Sequence, residues 1–387
     1  MNAQSLYDLS PLVRMMIMGV LVALGPLAWV WLRDPKASPA RRLQALTLLT
    51  LFLTFDLVLF GAFTRLTDSG LGCPDWPGCY GNASPLGATA EITAAQTAMP
   101  TGPVTHGKAW VEMVHRYLAT GVGVLILTLT AVSWAERRRA GVGGGVSPWW
   151  PTLTLAWVCL QGAFGALTVT MKLFPAIVTL HLLGGVVLLA LLCVQAVRHQ
   201  QAASGQAPES LSPGLRRGLW LVAALVMGQV SLGGWVSTNY AVLACSEFPM
   251  CQGRWWPEMD FQPGFTVWRA LGQAGDGTPI PFAALTAIHY THRLAAYAVI
   301  AALAVLAWRL RRADALPAQV RWLVGLLLWQ FATGLSNVVL DWPLVAAVSH
   351  TGGAAALVVV LTWALGASRT ARWPAASSCS NASRLPA

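Results

Sequence analysis

Charged residues are scarce in this sequence, and long stretches have none. Only 10% of the 387 residues are Asp, Glu, Lys or Arg, whereas 56% are hydrophobic. Water-soluble domains carry about 25% charged residues, so the composition excludes an ordinary soluble protein and indicates a chain that crosses a membrane several times. The net charge of +10 does not indicate a nucleic-acid partner, because the basic residues lie in short clusters between apolar runs.

Nine apolar runs are long enough to span a bilayer. They cover approximately residues 12–32, 43–64, 112–135, 151–170, 176–197, 217–238, 283–308, 320–340 and 343–366. Most Lys and Arg residues fall in alternate connections, which predicts an N-terminus outside and a C-terminus in the cytoplasm. No cleavable signal peptide is apparent, because Arg33 and Lys36 follow the first run without a small-residue cleavage site. We therefore expect the first run to be retained as an anchor.

Cysteine is also sparse, and four of the seven cysteines form two closely spaced pairs. Cys73 and Cys79, like Cys245 and Cys251, fall in connections that the charge pattern places outside, where disulfides persist. Each pair encloses five residues that include proline. Two interpretations stay open: a structural disulfide, or a dithiol that exchanges electrons with a nearby redox site.

The two cysteine pairs belong to an internal repeat. Residues 61–81 align with residues 233–253 without a gap, and Gln161 and His181 recur later as Gln330 and His350. Each copy contains four spans, so both copies have the same orientation about an axis along the membrane normal. The predicted fold is an all-α polytopic membrane protein, made of two parallel-repeat four-helix bundles plus one extra N-terminal transmembrane helix.

The repeat divides the chain into four segments. We assign residues 1–42 to the N-terminal anchor and a cytoplasmic linker, 43–200 to an N-terminal half, 201–368 to a C-terminal half, and 369–387 to a cytoplasmic tail that we expect to be disordered. The two long outer connections are rich in Gly, Pro and Trp. We expect them to carry short helices at the membrane interface.

Four histidines occupy repeated positions near the outer ends of spans: His115, His181, His292 and His350. Neutral imidazole is a good axial ligand for heme iron, and bundle cores hold cofactors between facing helices. A single histidine of this kind is as easily a hydrogen-bonded core residue, but four at matched positions favour two heme sites. Zinc is disfavoured because no acid or thiolate completes a tetrahedral set.

Glu112 lies three residues before His115, so helical spacing places both side chains on one face. Ionisable groups inside membrane helices are costly and usually functional, and this carboxylate could relay protons or polarise a bound water. The structural alternative is a glutamate at a helix start, favoured by the helix dipole. The repeat counterpart of Glu112 is His289, which is a second candidate ligand for the iron of His292 or a polar neighbour.

Three arginines accompany these residues. Arg116 follows His115, Arg293 follows His292, and Arg65 precedes the first cysteine pair. Guanidinium groups near the outer surface could clamp heme propionates through paired hydrogen bonds. They could instead extend to lipid headgroups.

Several of these motifs resemble the heme A synthase family. They are Gly-Ala-Phe-Thr-Arg-Leu-Thr-Asp-Ser-Gly-Leu at 61–71, Glu-Met-Val-His-Arg at 112–116, His181-Leu-Leu-Gly-Gly, Thr291-His292-Arg293 and His350-Thr-Gly-Gly, in the family's order over roughly residues 45–367. The resemblance implies an enzyme that oxidises a methyl substituent of heme O to a formyl group, giving heme A for terminal oxidases. The extra first span departs from the family pattern, as does Met113 in place of an aromatic residue.

Carried over by position, the resemblance implies a role for each site residue. His292 and His350 would ligate a resident heme b, His115 and His181 would line the pocket that receives heme O, and Glu112 would be the essential carboxylate beside the substrate. The cysteine pairs are similar to those of bacterial members, which implies a bacterial inner membrane. Candidate partners are heme O synthase, an unidentified electron-transfer protein and further copies of this chain.

Other functions are compatible with parts of the pattern. A di-heme cytochrome b that only transfers electrons would need similar sites in both halves, and the divergence between Glu112 and His289 disfavours it. A membrane thiol-disulfide oxidoreductase would use the cysteine pairs but leaves the histidines unexplained. A transporter predicts ionisable groups near the bilayer midplane, whereas these histidines lie toward the outer side.

Overall fold

A computed structural model describes residues 10–140 and 146–371, so residues 1–9 of the anchor segment and 372–387 of the tail lie outside the description. The α-helices in the described residues are α1 (Ser10–Arg33), α2 (Pro39–Leu66), α3 (Thr89–Ala98), α4 (His106–Ala140), α5 (Trp149–Thr170), α6 (Pro175–Ser204), α7 (Pro213–Thr238), α8 (Phe261–Phe265), α9 (Phe282–Arg312), α10 (Pro317–Val339) and α11 (Leu344–Gly366). Nine of these described helices are long and apolar enough to cross a membrane. The predicted all-α polytopic class is confirmed.

The transmembrane helices form two groups of four. Helices α2, α4, α5 and α6 contact one another in a closed ring, and α7, α9, α10 and α11 form a second ring. Helices α6 and α11 pack together between the rings, and α2 also contacts α11. Helix α1 lies outside both rings and packs mainly on α4. The arrangement is two four-helix bundles side by side with one additional N-terminal helix.

The first helix of each bundle begins with the same local signal. Ser38 caps α2 and Ser212 caps α7, each accepting a hydrogen bond from a backbone N–H of the first turn, and proline follows directly. A serine cap satisfies a free N–H, and proline is compatible with the first turn of a helix because that turn needs no N–H donor. Local sequence therefore sets where both bundles start.

The two long connections that contain the cysteine pairs have matching structures. Each contains a disulfide, Cys73–Cys79 in the first and Cys245–Cys251 in the second. Each also contains a cis X–Pro bond and a short antiparallel bridge after the second cysteine. The short helices expected in these connections are present as α3 and α8, together with 3-10 helices at Pro85–Ala88 and Ala241–Ala244.

The two bundles also meet through residues that are one repeat apart. Nη2 of Arg65 donates to the carbonyl of Ser237 at 2.6 Å, and the guanidinium lies over the ring of Tyr240 at 4.0 Å. The Tyr240 hydroxyl donates to Oδ1 of Asp68 at 2.6 Å. Since Arg65 pairs with Ser237 and Asp68 with Tyr240 in the repeat, equivalent segments face each other across the axis that relates the halves.

A two-stranded parallel ladder on the other side of the bundles was not predicted. Strand β1 (Glu209–Leu211) pairs with β2 (Ser368–Thr370), and Nη1 of Arg216 donates to the Ser368 carbonyl at 2.6 Å. Residues 369 and 370, which we assigned to the tail segment, are part of β2. Each strand has only three residues, which is too short for a periodic pattern, and its pairing partner is distant in the sequence. The sequence therefore gives no signal for either strand.

Candidate active site

A cavity of about 860 Å³ lies between the helices of both bundles. Ligand pockets commonly measure about 300–1,000 Å³, so this one is large. Apolar residues form most of its wall. The polar side chains that line it include the sequence-predicted site residues Glu112, His115, His181, His289, His292 and His350, and the arginines Arg65, Arg116 and Arg293.

The four histidines form two pairs, one in each bundle. His115 on α4 lies close enough to His181 on α6 for their charges to influence each other, and the same holds for His292 on α9 and His350 on α11. Each ring is half-buried and lines the cavity, so we take its accessible part to face the cavity interior. The structure therefore brings together the histidines that the repeat matches within each half.

Each of these imidazole rings packs against a glycine on the neighbouring helix. Measured from an ideal Cβ on the glycine to Cε1 of the imidazole, the separations are 3.1 Å for Gly61–His115, 3.4 Å for Gly165–His181, 3.0 Å for Gly233–His292 and 3.2 Å for Gly334–His350. Most of these are closer than real Cβ atoms usually come, so a side chain there would push the ring aside. Sequence reasoning missed these glycines, although they recur at matched repeat positions.

Glu112 is buried, with 4% of its surface exposed, and both carboxylate oxygens have partners. Oε2 accepts a hydrogen bond from the backbone N–H of Cys73 at 2.8 Å, and Oε1 pairs with Nη2 of Arg116. Helix α4 begins six residues earlier at His106, so the alternative of a glutamate at a helix start is wrong. Glu112 instead joins α4 to the first disulfide loop beside His115.

Arg116 and Arg293 hold the disulfide loops in the same way. Nη1 of Arg116 donates to the carbonyls of Asp75, Pro77 and Gly78 at 3.0, 3.2 and 2.5 Å. Nη1 of Arg293 donates to the carbonyls of Glu247, Pro249 and Met250 at 2.9, 3.5 and 2.9 Å. The loops are therefore fixed directly above the histidine helices, and propionate binding by these arginines stays a prediction.

His289 and Met113 differ in their relation to the cavity. His289 is buried, with 5% of its surface exposed, and it lines the cavity in the place that Glu112 has in the other half. Met113 is fully buried and packs with Cys73 and Cys79. It is not among the cavity-lining residues, so this departure from the family pattern affects the loop support instead of the pocket wall.

The residues present fit a porphyrin in each bundle. His115 and His181 line the cavity as one pair, and His292 and His350 line it as a second pair. Glycines leave space beside each ring, and the wall is apolar. Within residues 10–140 and 146–371, no three His, Cys, Asp or Glu side chains group as a site for a bare metal ion.

A helical membrane protein with paired histidines facing one apolar cavity has the architecture of a membrane-embedded heme protein. Residues 44–362 match the COX15-CtaA family, described as cytochrome oxidase assembly protein, and this chain belongs to that family.

Heme A synthases from several bacteria align with most of this chain. The heme A synthase of Shewanella oneidensis is 39% identical over 317 residues, which are 81% of this chain and 92% of that protein. The heme A synthase of Chelativorans sp. is 30% identical over 344 residues, or 83% and 87% of the two chains. That of Rhizorhabdus wittichii is 27% identical over 352 residues, or 85% and 95%.

Proposed function

We propose that this protein is a heme A synthase, which oxidises one methyl substituent of heme O to a formyl group by successive hydroxylations. Membership of the family and the names of its relatives support this proposal. The observation that carries it is the asymmetry of the cavity. Both bundles contribute a matched histidine pair, but only the first bundle also contributes a carboxylate, that of Glu112. A simple electron carrier would have no need of that asymmetry.

The two bundles have different tasks in this proposal. Residues 43–200 form the half that receives heme O between His115 and His181, and residues 201–368 form the half that holds heme b between His292 and His350. Heme b, when bound, supplies electron-transfer chemistry close to the substrate. Each histidine pair lies within one bundle and lines the cavity, which supports one porphyrin in each half.

The protein's own residues orient the substrate and manage a proton. The histidines fix the porphyrin plane, and the apolar wall excludes water from the reacting edge. Glu112 holds or moves a proton at Oε1, where it meets Arg116. Because Nη1 of Arg116 also donates to three carbonyls of the disulfide loop, the guanidinium stays in place when Glu112 takes up a proton.

We place the protein in a bacterial inner membrane, with the N-terminus outside and the C-terminus in the cytoplasm. The clusters of Lys and Arg after α1, α4 and α9 support this orientation. Both disulfide loops then lie on the outer, oxidising side. Heme O synthase as the supplier of substrate, an electron-transfer protein and self-association remain predictions about partners.

The heme content of the purified protein tests this function. The chain is expressed in a host that makes heme O but not heme A, and its hemes are extracted with acidic acetone and identified by chromatography and mass. We expect heme A together with hemes B and O, and no heme A in the host with an empty vector. Heme B alone would instead identify an electron carrier, and no heme at all would favour thiol or transport chemistry.

The glycine beside His292 provides a second prediction. Gly233→Ala places a methyl group 3.0 Å from Cε1 of His292 and should tilt that ring, costing about 1–3 kcal/mol in a packed site. We expect less heme b in the purified variant and a shifted absorption spectrum. Gly228→Ala on the same helix is the matched control, because its Cβ would meet nothing within 4 Å. Equal heme content in the two variants would contradict the prediction.

A further inference from the structure

The partners of the imidazole Nδ1 atoms differ between the two bundles. In the C-terminal bundle, Nδ1 of His350 lies 3.0 Å from Oγ1 of Thr333. That hydroxyl donates its own proton to the Trp329 carbonyl at 2.8 Å, so it accepts from Nδ1–H of His350. The ring is thereby held in the tautomer whose Nε2 is free to bind iron.

His292 in the same bundle also has a side-chain partner. Nε2 of Gln229 lies 3.0 Å from Nδ1 of His292 and donates to the His292 carbonyl at 3.0 Å. Because this atom is a donor, Gln229 contacts the ring but does not accept a proton from Nδ1. Thr333 is therefore the side chain of this bundle that accepts from the second nitrogen of a histidine.

The N-terminal bundle lacks both partners. Leu57 occupies the repeat position of Gln229, and Phe164 occupies that of Thr333. Phe60 stacks on the His115 ring at 6.2 Å between centroids, and Nδ1 has no hydrogen-bond partner in the described chain. The backbone of Gln161 lies near the His181 ring, but Nδ1 of that ring has no partner in hydrogen-bond geometry within the described chain.

We propose that Thr333 is a positioning residue that makes the C-terminal heme resident, whereas the N-terminal imidazoles hold their porphyrin loosely enough to exchange substrate for product. This inference rests on the proposed function for the identity of the two hemes. Hydrogen bonds to the second nitrogen of a ligating histidine fix the ring and strengthen its bond to the metal, and losing one typically costs about 10–100-fold in affinity. An enzyme whose substrate is itself a heme needs that difference between two otherwise similar pockets.

The test replaces Thr333 by an apolar residue of the same shape. In Thr333→Val, we expect heme b to transfer to a heme scavenger such as apomyoglobin about 10–100-fold faster than from the unmodified protein. The midpoint potential of heme b should also rise, because a less basic histidine stabilises ferric iron less. Thr333→Ser keeps the hydroxyl, so its heme b should exchange as slowly as that of the unmodified protein. Leu57→Gln, in the other bundle, should leave heme b exchange unchanged.

Thermal unfolding of the heme-free forms distinguishes positioning from general structural support. Thr333→Val should unfold at a temperature close to that of the unmodified protein while its heme b exchanges faster. Unchanged exchange and potential in Thr333→Val would overturn the inference. An unmodified protein that binds no heme would overturn the proposed function, whereas one that binds heme b but makes no heme A would leave this inference standing.

Discussion

Glu112→Ala should abolish heme A formation while heme b stays bound. A positioned proton-transfer group contributes about 10²–10⁴-fold to a rate, and we expect a loss of that size in heme A produced per enzyme. The reason is that Glu112 is the carboxylate that lines the cavity beside His115, while the C-terminal bundle has His289 at the matched position. The measurement is heme A formation from added heme O, with heme b quantified in the same sample.

Controls must allow for the structural contacts of Glu112. The alanine variant leaves the Cys73 N–H without its acceptor, which costs about 1–3 kcal/mol in a buried site. Glu112→Gln keeps an oxygen for that N–H but cannot exchange a proton, so it should remain inactive. Both variants leave buried Arg116 without its carboxylate, so the folded fraction is measured together with heme A. His289→Ala, the matched change in the other half, should retain activity. Loss of heme b from a folded Glu112→Ala protein would overturn this division of roles.

His350→Ala should remove heme b almost completely, whereas His181→Ala should keep heme b and lose heme A formation. Each change removes one of the two axial ligands that we propose for a heme, but in different bundles, because His350 lies near His292 and His181 lies near His115. An iron with one protein ligand is held far less tightly than one with two. Heme content per protein and heme A formation are measured together on both variants.

His106 offers a histidine control outside the cavity wall. Its Nε2 lies 2.9 Å from Oγ1 of Thr93, and it begins α4 at the protein surface. His106→Ala should therefore change neither heme content nor activity. If His181→Ala lost heme b as readily as His350→Ala, the two bundles would not have separate hemes and the assignment would fail.

Periodic and repeated features were predictable from the sequence. The nine spans follow from apolar runs that few charges interrupt, and the described helices reproduce them with ends shifted by a few residues. The disulfides Cys73–Cys79 and Cys245–Cys251 follow from two close pairs in the same loop of each repeat. Such signals are local or duplicated, so no tertiary contact had to be known.

Features that depend on loop conformation were not predictable. The carbonyls that bind Arg116 and Arg293 converge only after each disulfide loop has folded, so an arginine after a histidine looked equally suited to propionates or lipids. The contact of Gly233 with His292 depends on the packing of α7 on α9. The Thr333–His350 hydrogen bond likewise depends on the fit of α10 against α11, which no spacing rule gives.

The most direct test is an experimental map of the protein purified from cells that supply heme O. We predict one porphyrin whose iron lies between His292 and His350, and a second between His115 and His181 with its edge near Glu112. A single porphyrin shared between the bundles, or an iron bound by His289 in place of His292, would contradict the account.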